Sequence, residues 1–318
     1  MELRELGKTG IQVTPIGMGV LTIGRTQLNL PLEEGAAIVR HALKRGVNFL
    51  DTAQYYETYP YIREALKGTD FKPVIASKSL DYTYDQMKFA VNEALESLDI
   101  PSIDIFLLHE VRDGSDFQDR SGAWRYLVEA KAEGLVKAIG ISTHYVDVSF
   151  MAGQLSELDV LFPLINYKSM GIRDGQNAGT KEDMARAIKA ASENGKGVFA
   201  MKVFGGGNLS GNYIKALDYV NSLPGIDSMM IGFGCNEDVN TACMYAEGTL
   251  PADYAPDISQ KKIRIDKGDC ESCGSCINIC PNKAISFDTN GIAEVDHTVC
   301  ITCGYCAPIC PVRAIIMF

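Results

Sequence analysis

Short apolar runs alternate with amphipathic stretches over the first 255 residues of the chain. The apolar runs predict strands that are buried on both faces. They lie at residues 16–20, 47–50, 74–77, 103–108, 136–141, 160–165, 198–203 and 228–233. Residues 84–98 and 181–193 have apolar side chains at helical spacing, and Gly46 and Gly195 stand where helices are expected to stop.

Buried strands separated by helices predict a parallel sheet, and eight such units within about 250 residues predict an α/β fold, the (β/α)8 TIM barrel. A doubly wound sheet is the alternative. That fold normally has a G-x-G-x-x-G turn after its first strand, and Gly17 and Gly19, followed by 20–22, do not complete this motif. We expect a barrel over residues 1–255, with a linker at 249–260 that Pro residues interrupt.

The cysteines are concentrated near the C-terminus, where eight of the ten lie between residues 270 and 310. They form two C-x2-C-x2-C-x3-C-P runs offset by 30 residues, and Ala284-Ile285 recurs as Ala314-Ile315, which indicates an internal duplication. The start of the chain has no export signal, so this crowding favours metal ligation in a reducing compartment over disulfides. The remaining two, Cys235 and Cys243, are expected to be buried thiols.

Residues 261–318 resemble a bacterial ferredoxin with two [4Fe-4S] clusters, which would make them a small α+β ferredoxin-like domain. The resemblance implies that each run gives its fourth cysteine, at the start of a helix, to the other cluster. One set of ligands would be Cys270, Cys273, Cys276 and Cys310, and the other Cys300, Cys303, Cys306 and Cys280. Two zinc sites or a disulfide knot are the alternatives, although zinc ribbons favour paired C-x2-C knuckles. Short strands are expected at 284–287 and 292–295.

Polar residues follow several of the predicted barrel strands, at the end where such barrels hold their chemistry. Asp51, Lys78 and His109 come directly after the second, third and fourth strands, with Tyr55 and Tyr56 just beyond Asp51. A charge next to a buried strand is costly unless it is paired, so Asp51 and Lys78 are expected to form an ion pair, which could be purely structural. A nearby tyrosine makes acid–base chemistry the stronger interpretation.

Several segments resemble the aldo-keto reductase family, in order, across roughly residues 1 to 245: ELGKTGIQVTPIGMGV, FLDTAQYYE, VIASKS, IFLLHE, AIGIST and the GGG after strand seven. The resemblance implies a catalytic tetrad of Asp51, Tyr56, Lys78 and His109. In that mechanism a reduced nicotinamide gives a hydride to a carbonyl carbon while Tyr56 protonates the oxygen. Lys78, oriented by Asp51, would lower the pKa of the phenol, and His109 would position the carbonyl.

The resemblance also implies cofactor-binding residues, namely Ser142, Asn166, Gly205, Gly206 and Gly232. The family typically has Ser-Asn after strand five and Gln on strand six, where this chain has Ser142-Thr143 and, in the expected place, Phe162. Residues 225–251 contain no Lys or Arg to bind a 2′-phosphate, so NADH is favoured over NADPH. A flavin is conceivable, although no flavin motif is present.

The formal net charge of −10 makes nucleic acid and anionic membranes unlikely partners, and no apolar run is long enough to span a membrane. We expect a cytoplasmic protein in a reducing, oxygen-poor cell. Residues 261–318 contain six basic and six acidic residues, so bound clusters would make this segment anionic. A redox partner would then present a positive patch.

The sequence thus predicts an oxidoreductase of aldo-keto reductase type that acts on a small carbonyl or alcohol, with two [4Fe-4S] clusters exchanging electrons with a ferredoxin-type partner. One alternative is a plain NAD(P)H-dependent carbonyl reductase with structural or regulatory clusters. Another is a non-enzymatic electron-transfer protein. Loops 112–122 and 168–179 are expected to shape the substrate site, and their charged residues favour a polar substrate.

Overall fold

The computed structural model describes residues 1–25, 27–257, 262–300 and 304–317. The strands of the first 257 residues are β1 (Arg4–Glu5), β2 (Gln12–Val13), β3 (Ile16–Gly19), β4 (Phe49–Asp51), β5 (Val74–Ser79), β6 (Ile103–Leu108), β7 (Val136–Thr143), β8 (Val160–Pro163), β9 (Arg173–Asp174), β10 (Asn177–Ala178), β11 (Gly197–Ala200) and β12 (Ser228–Gly232). The helices are α1 (Leu32–Lys44), α2 (Tyr59–Leu66), α3 (Tyr84–Leu98), α4 (Gly114–Asp119), α5 (Ser121–Ala132), α6 (Val146–Gln154), α7 (Lys181–Glu193), α8 (Tyr213–Asn221) and α9 (Asn236–Ala246). Three short 3-10 turns cover Val20–Ile23, Gln54–Tyr56 and Ser210–Asn212.

Eight parallel strands close into a barrel, in the order β3, β4, β5, β6, β7, β8, β11 and β12, with β12 pairing back to β3. This confirms the predicted (β/α)8 barrel and its eight strands. Asp51 is in register with Ala76, and Lys78 with Leu107. Because all strands run in one direction, their carboxyl ends form a single rim, which we call the mouth.

The apolar side chains form two cores on either side of the strands. The inner core fills the barrel and includes Phe49, Phe162 and Phe199, and the rings of Phe162 and Phe199 are stacked 4.1 Å apart. The outer core lies between strands and helices, where Val91 of α3 and Ile188 of α7 are fully buried. Because side chains fill the barrel interior, a site for a substrate lies at the mouth and not inside the barrel.

The predicted helices agree with α3 and α7 over their whole length, and a threonine side chain caps the start of each. Thr83 and Gln86 form a reciprocal capping box, and the Thr180 side chain accepts from Asp183 N. Two expected loops contain regular structure: residues 112–122 include α4, and 168–179 include the β9–β10 hairpin. Their residues are polar and lack periodicity, so hydrophobic patterning could not identify these short elements.

The remaining elements form the C-terminal unit, of which the structure describes residues 262–300 and 304–317. They are β13 (Ile263–Ile265), α10 (Ser275–Ile279), β14 (Ile285–Phe287), β15 (Ala293–Val295), α11 (Cys306–Ile309) and β16 (Ile315–Met317). Two antiparallel pairs, β13–β16 and β14–β15, enclose a small core. The two strands expected beside the cysteine runs are present as β14 and β15.

One local expectation was wrong: Cys280 and Cys310 end helices α10 and α11 rather than start them. Both have extended backbone, with ψ of 112° and 113°. The physical reason is the following proline, which excludes the preceding residue from the helical region. Part of the linker, 258–260, lies outside the described residues. Within the described chain, none of the helices combines the length and apolarity needed to cross a membrane.

Candidate active site at the barrel mouth

A buried ion pair forms the floor of the mouth. Lys78 Nζ lies 2.6 Å from Asp51 Oδ1 and also donates to Thr52 O at 2.7 Å. The Lys78 side chain is 1% exposed and that of Asp51 8% exposed. Burial raises the pKa of Asp51 and lowers that of Lys78, and each charge opposes the shift of the other.

Tyr56 and His109 stand over this pair. Tyr56 Oη and His109 Nε2 are 3.4 Å apart, with the two rings edge to face. Lys78 Nζ lies 4.7 Å from the centre of the Tyr56 ring. The structure therefore brings the four sequence-predicted tetrad residues together at the ends of three neighbouring strands, with Asp51 and Tyr56 both from the end of β4. Tyr55 instead is exposed, and its hydroxyl contacts Gly268 of the C-terminal unit.

The electrostatics of the tyrosine differ from the sequence-based expectation. The pKa of Tyr56 is raised well above its ordinary value, first by burial and then by the carboxylates of Asp51 and Asp269. The sequence-based expectation was that Lys78 would lower the pKa of Tyr56, whereas burial and the carboxylates raise it. Burial, together with the charges of Lys78 and Arg120, lowers the pKa of His109 well below its ordinary value. Tyr56 is thus a protonated phenol and His109 a neutral imidazole at neutral pH.

Arg120 supports the site, and sequence reasoning missed it. Its guanidinium donates to the carbonyls of His109 and Ser79, both at 2.9 Å, and to Asp81 O at 3.1 Å. Only 1% of the residue is exposed. One arginine between two short helices has no periodic or motif signal, so only the folded contacts identify its role.

The predicted cluster ligands line two cavities of the C-terminal unit. Cys270, Cys273 and Cys276 of the first run share one cavity with Cys310 of the second. Cys300 and Cys306 share the other with Cys280, while Cys303 lies outside the described residues. In the described part of the chain, no three His, Cys, Asp or Glu side chains converge on one metal-ion position. The described cysteines of each set line the wall of the same cavity.

The two cysteines outside the runs differ from each other. Cys243 is buried within the outer core, as expected. Cys235 is exposed, so the expectation of a buried thiol was wrong there. Cys235 occupies the position before α9 at the surface, and its side chain makes no hydrogen bond to the helix start.

The C-terminal unit sits on the mouth beside the tetrad. Asp269, directly before the first cluster cysteine, places Oδ2 3.6 Å from Lys202 Nζ. Tyr55 Oη packs against Gly268, where an added methyl would lie 2.3 Å from it. Arg173 Nη1 donates to Pro311 O at 3.4 Å, and Arg264 donates to Gln27 O. The unit therefore forms part of the wall of the candidate site.

Comparison with known proteins identifies the families to which the two parts of the chain are similar. The profile of the aldo/keto reductase family matches residues 15–241, and that of the 4Fe-4S dicluster domain matches residues 269–314. The chain belongs to the aldo/keto reductase family. It joins that family's barrel to a dicluster domain in one polypeptide.

The relatives of this aldo/keto reductase are distant. L-galactose dehydrogenase of Arabidopsis thaliana is 29% identical over 46% of this chain and 50% of its own length. Methylglyoxal reductase DkgA of Escherichia coli K12 is 25% identical over 54% and 63%. The chain spans about half the length of the first curated relatives it matches. A Pseudomonas aeruginosa structure has a TM-score of 0.65 at 24% identity, over 77% of this chain and 95% of that one, which shows the fold alone.

Two residues that the resemblance assigned to the nicotinamide bind the protein backbone in this aldo/keto reductase. Ser142 Oγ accepts from Glu110 N at 2.9 Å. Asn166 Nδ2 donates to Met170 O at 2.9 Å, and its Oδ1 accepts from Met170 N at 3.0 Å. Both side chains are fully buried.

The three assigned glycines are also in close contact with protein. An added methyl at Gly232 would lie 1.9 Å from Thr22 Oγ1. Gly205 and Gly206 lie against Arg313, and Gly206 O accepts from Met317 N at 2.8 Å. A nicotinamide dinucleotide bound through this set of residues does not fit the described arrangement.

Proposed function

We propose that this aldo/keto reductase is an oxidoreductase that interconverts a carbonyl and an alcohol on a small organic substrate. Residues 1–255 would form the catalytic barrel and 261–318 the two-cluster domain, which exchanges electrons with a redox partner. The main support is one juxtaposition: the Tyr56–His109 pair, 3.4 Å apart, stands over the Lys78–Asp51 ion pair at the mouth.

Tyr56 is the proposed proton donor. Its raised pKa keeps the phenol protonated, so the proton is available when negative charge develops on a carbonyl oxygen. A neutral His109 with Nε2 beside Tyr56 Oη can hold the same oxygen by a hydrogen bond. The two side chains thus define where the reacting oxygen binds.

Lys78 stabilises the phenolate that remains after proton transfer. Its ammonium lies 4.7 Å from the centre of the Tyr56 ring and, at 1% exposure, is screened from water. Asp51 and Thr52 O fix the ammonium in place. Arg120 fixes the backbone carbonyl of His109.

We assign one [4Fe-4S] cluster to each of the two cysteine-lined cavities, with the ligand sets predicted from the sequence, of which Cys303 lies outside the described residues. Cys310 lines the same cavity as the first run and Cys280 the same cavity as the second, which supports the proposed exchange of the fourth ligand. When bound, such clusters supply one-electron transfer. We expect their thiolate chemistry to require a reducing, oxygen-poor cytoplasm.

The proposed substrate class follows from the relatives and the charges at the mouth. The names of two relatives, a galactose dehydrogenase and a methylglyoxal reductase, refer to small carbonyl or alcohol compounds. Here Lys202 and Glu110 both border the site, and both have left-handed backbone, with φ of 56° and 55°. Two charged side chains beside the Tyr56–His109 pair support binding of a polar substrate.

The test is a Tyr56→Phe variant with Tyr55→Phe as its matched control. Cluster-loaded protein is assayed anaerobically with a panel of small aldehydes and ketones, once with a reduced viologen as electron donor and once with NADH or NADPH. The donor that supports the higher wild-type rate is used for the variants. Tyr56→Phe should lower the substrate-dependent rate by about 100-fold or more, because the general acid is lost. Tyr55→Phe should retain it. Equal rates in the two variants would refute the assignment.

A further inference from the structure

The glycine loop at the mouth has the shape of a phosphate site. Gly205, Gly206 and Gly207 all have left-handed backbone, with φ of 56°, 65° and 82°. Successive backbone N–H groups in a turn form a concavity that suits anionic oxygens. In this loop Gly205 N already donates to Lys202 O at 2.7 Å, which leaves Gly206 and Gly207. This loop is the part of the predicted cofactor site that a dinucleotide pyrophosphate would approach.

Strand β16 of the same chain covers this loop. Met317 N donates to Gly206 O at 2.8 Å, and Asn208 Nδ2 donates to Ile315 O at 3.1 Å. At Gly207 an added methyl would lie only 1.8 Å from Met317 O. The two backbones are therefore in direct contact, with no space between them for a phosphate.

Arg313 brings positive charge to the same place. It is 2% exposed, and a methyl on Gly171 would lie 1.6 Å from its Cγ. Its Nη1 donates to Ala307 O, and its Nη2 would lie 3.2 Å from a methyl on Gly205. Burial lowers its pKa to about 10, so the guanidinium remains charged at neutral pH. Its Nε and Nη2 have no hydrogen-bond partner among the described residues. A cation attracts a phosphate, so any exclusion of a dinucleotide from this loop depends on the backbone contact with β16 and not on Arg313.

We propose that strand β16 permanently fills the phosphate site of the barrel, so that neither NADH nor NADPH binds there. This inference rests on the proposed function. It implies that the electrons for the substrate come from a low-potential one-electron carrier protein. Two reduced carrier molecules each lose one electron. The substrate carbonyl gains those two electrons and two protons to become the alcohol, with one proton from Tyr56 and one from solvent.

The decisive contact is the bond from Met317 N to Gly206 O, and two substitutions isolate it. Met317→Pro removes the N–H donor, whereas Met317→Ala shortens the side chain and keeps the donor. NADH and NADPH are titrated by equilibrium dialysis against the full-length, cluster-loaded protein under argon. The wild type and Met317→Ala should show no saturable binding up to millimolar nucleotide. Met317→Pro should bind at least tenfold more tightly than Met317→Ala.

A second pair tests the same contact from the barrel side if Met317→Pro fails to load its clusters. Gly207→Ala introduces the clash with Met317 O, whereas Gly175→Ala places a methyl at another left-handed position with open space around it. Gly207→Ala should gain nucleotide binding and Gly175→Ala should not.

Micromolar binding of either nucleotide to the wild type would overturn the proposal. So would equal affinities within the matched pair, since another feature would then exclude the dinucleotide. Binding is measured without a substrate, so failure here leaves the test of Tyr56 in carbonyl chemistry unaffected.

Discussion

At the scale of single residues, the site depends on charges removed from water. The side chains of Asp51 and Lys78 are both nearly inaccessible to solvent and lie 2.6 Å apart. Each charge offsets part of the free energy that burying the other costs. The same burial keeps Tyr56 protonated and His109 neutral, which are the forms that proton donation and carbonyl binding need. The sequence indicated these residues by their places at strand ends, but only the folded environment shows the direction of the pKa shifts.

Lys78→Met should destabilise the protein and abolish turnover. The substitution leaves the Asp51 carboxylate buried without its cation, so the free energy of unfolding should fall by about 3–5 kcal/mol. The double variant with Asp51→Asn should recover part of that stability while remaining inactive. Thermal unfolding and the same carbonyl-reduction assay measure the two effects. Wild-type stability in Lys78→Met would contradict the proposed ion-pair energetics.

The buried histidines predict a pH dependence of folding. Burial and the charge of Lys202 lower the pKa of His144, as burial does for His109, so the unfolded chain binds a proton before the folded one. Stability should therefore fall as the pH drops below about 6.5, by up to about 1.4 kcal/mol per pH unit for each histidine.

His144→Gln should reduce the loss of stability per pH unit. The free energy of unfolding is measured with denaturant at several pH values around 6.5, the ordinary pKa of histidine. The variant of the exposed histidine, His297→Gln, is the control and should retain the wild-type slope. An unchanged slope in His144→Gln would contradict a neutral buried imidazole.

At the scale of elements, strand and helix patterns in the sequence were sufficient to predict the barrel. Strands buried on both faces give continuous apolar runs, and the amphipathic stripes of α3 and α7 fix those helices from end to end. The β9–β10 hairpin was not predictable, because its two-residue strands have no periodicity. The helix ends at Cys280 and Cys310 follow from the prolines after them, which exclude the preceding residue from the helical region.

The duplicated cysteine runs predict exchange of the fourth ligand between clusters. Cys310→Ser should alter the same EPR signal as Cys270→Ser, because the two thiols line one cavity. Cys280→Ser should alter the other signal, and each variant should lose roughly half of the bound iron. Cys235→Ser is the control and should retain both signals. A shared signal for Cys310→Ser and Cys300→Ser would contradict the assignment.

At the scale of the whole molecule, the important feature is how the C-terminal unit sits on the barrel. Asp269 pairs with Lys202 at the mouth, and Arg313 and Met317 cover the glycine loop. No local pattern in the sequence predicts such a contact, since it joins side chains and backbone from distant parts of the chain. The cysteine runs and the tetrad were recognisable separately, whereas their proximity is a property of the fold.

The central claim is that the tetrad and the clusters serve one reaction, and a single-turnover experiment tests it most directly. Full-length protein is reduced with dithionite under argon, freed of the reductant, and mixed with the carbonyl panel without any nicotinamide nucleotide. The account predicts that visible absorbance shows reoxidation of the clusters in wild type and Tyr55→Phe, with two electrons lost per alcohol formed, and none in Tyr56→Phe. Clusters that stay reduced with every carbonyl, while added NADPH supports alcohol formation, would contradict it.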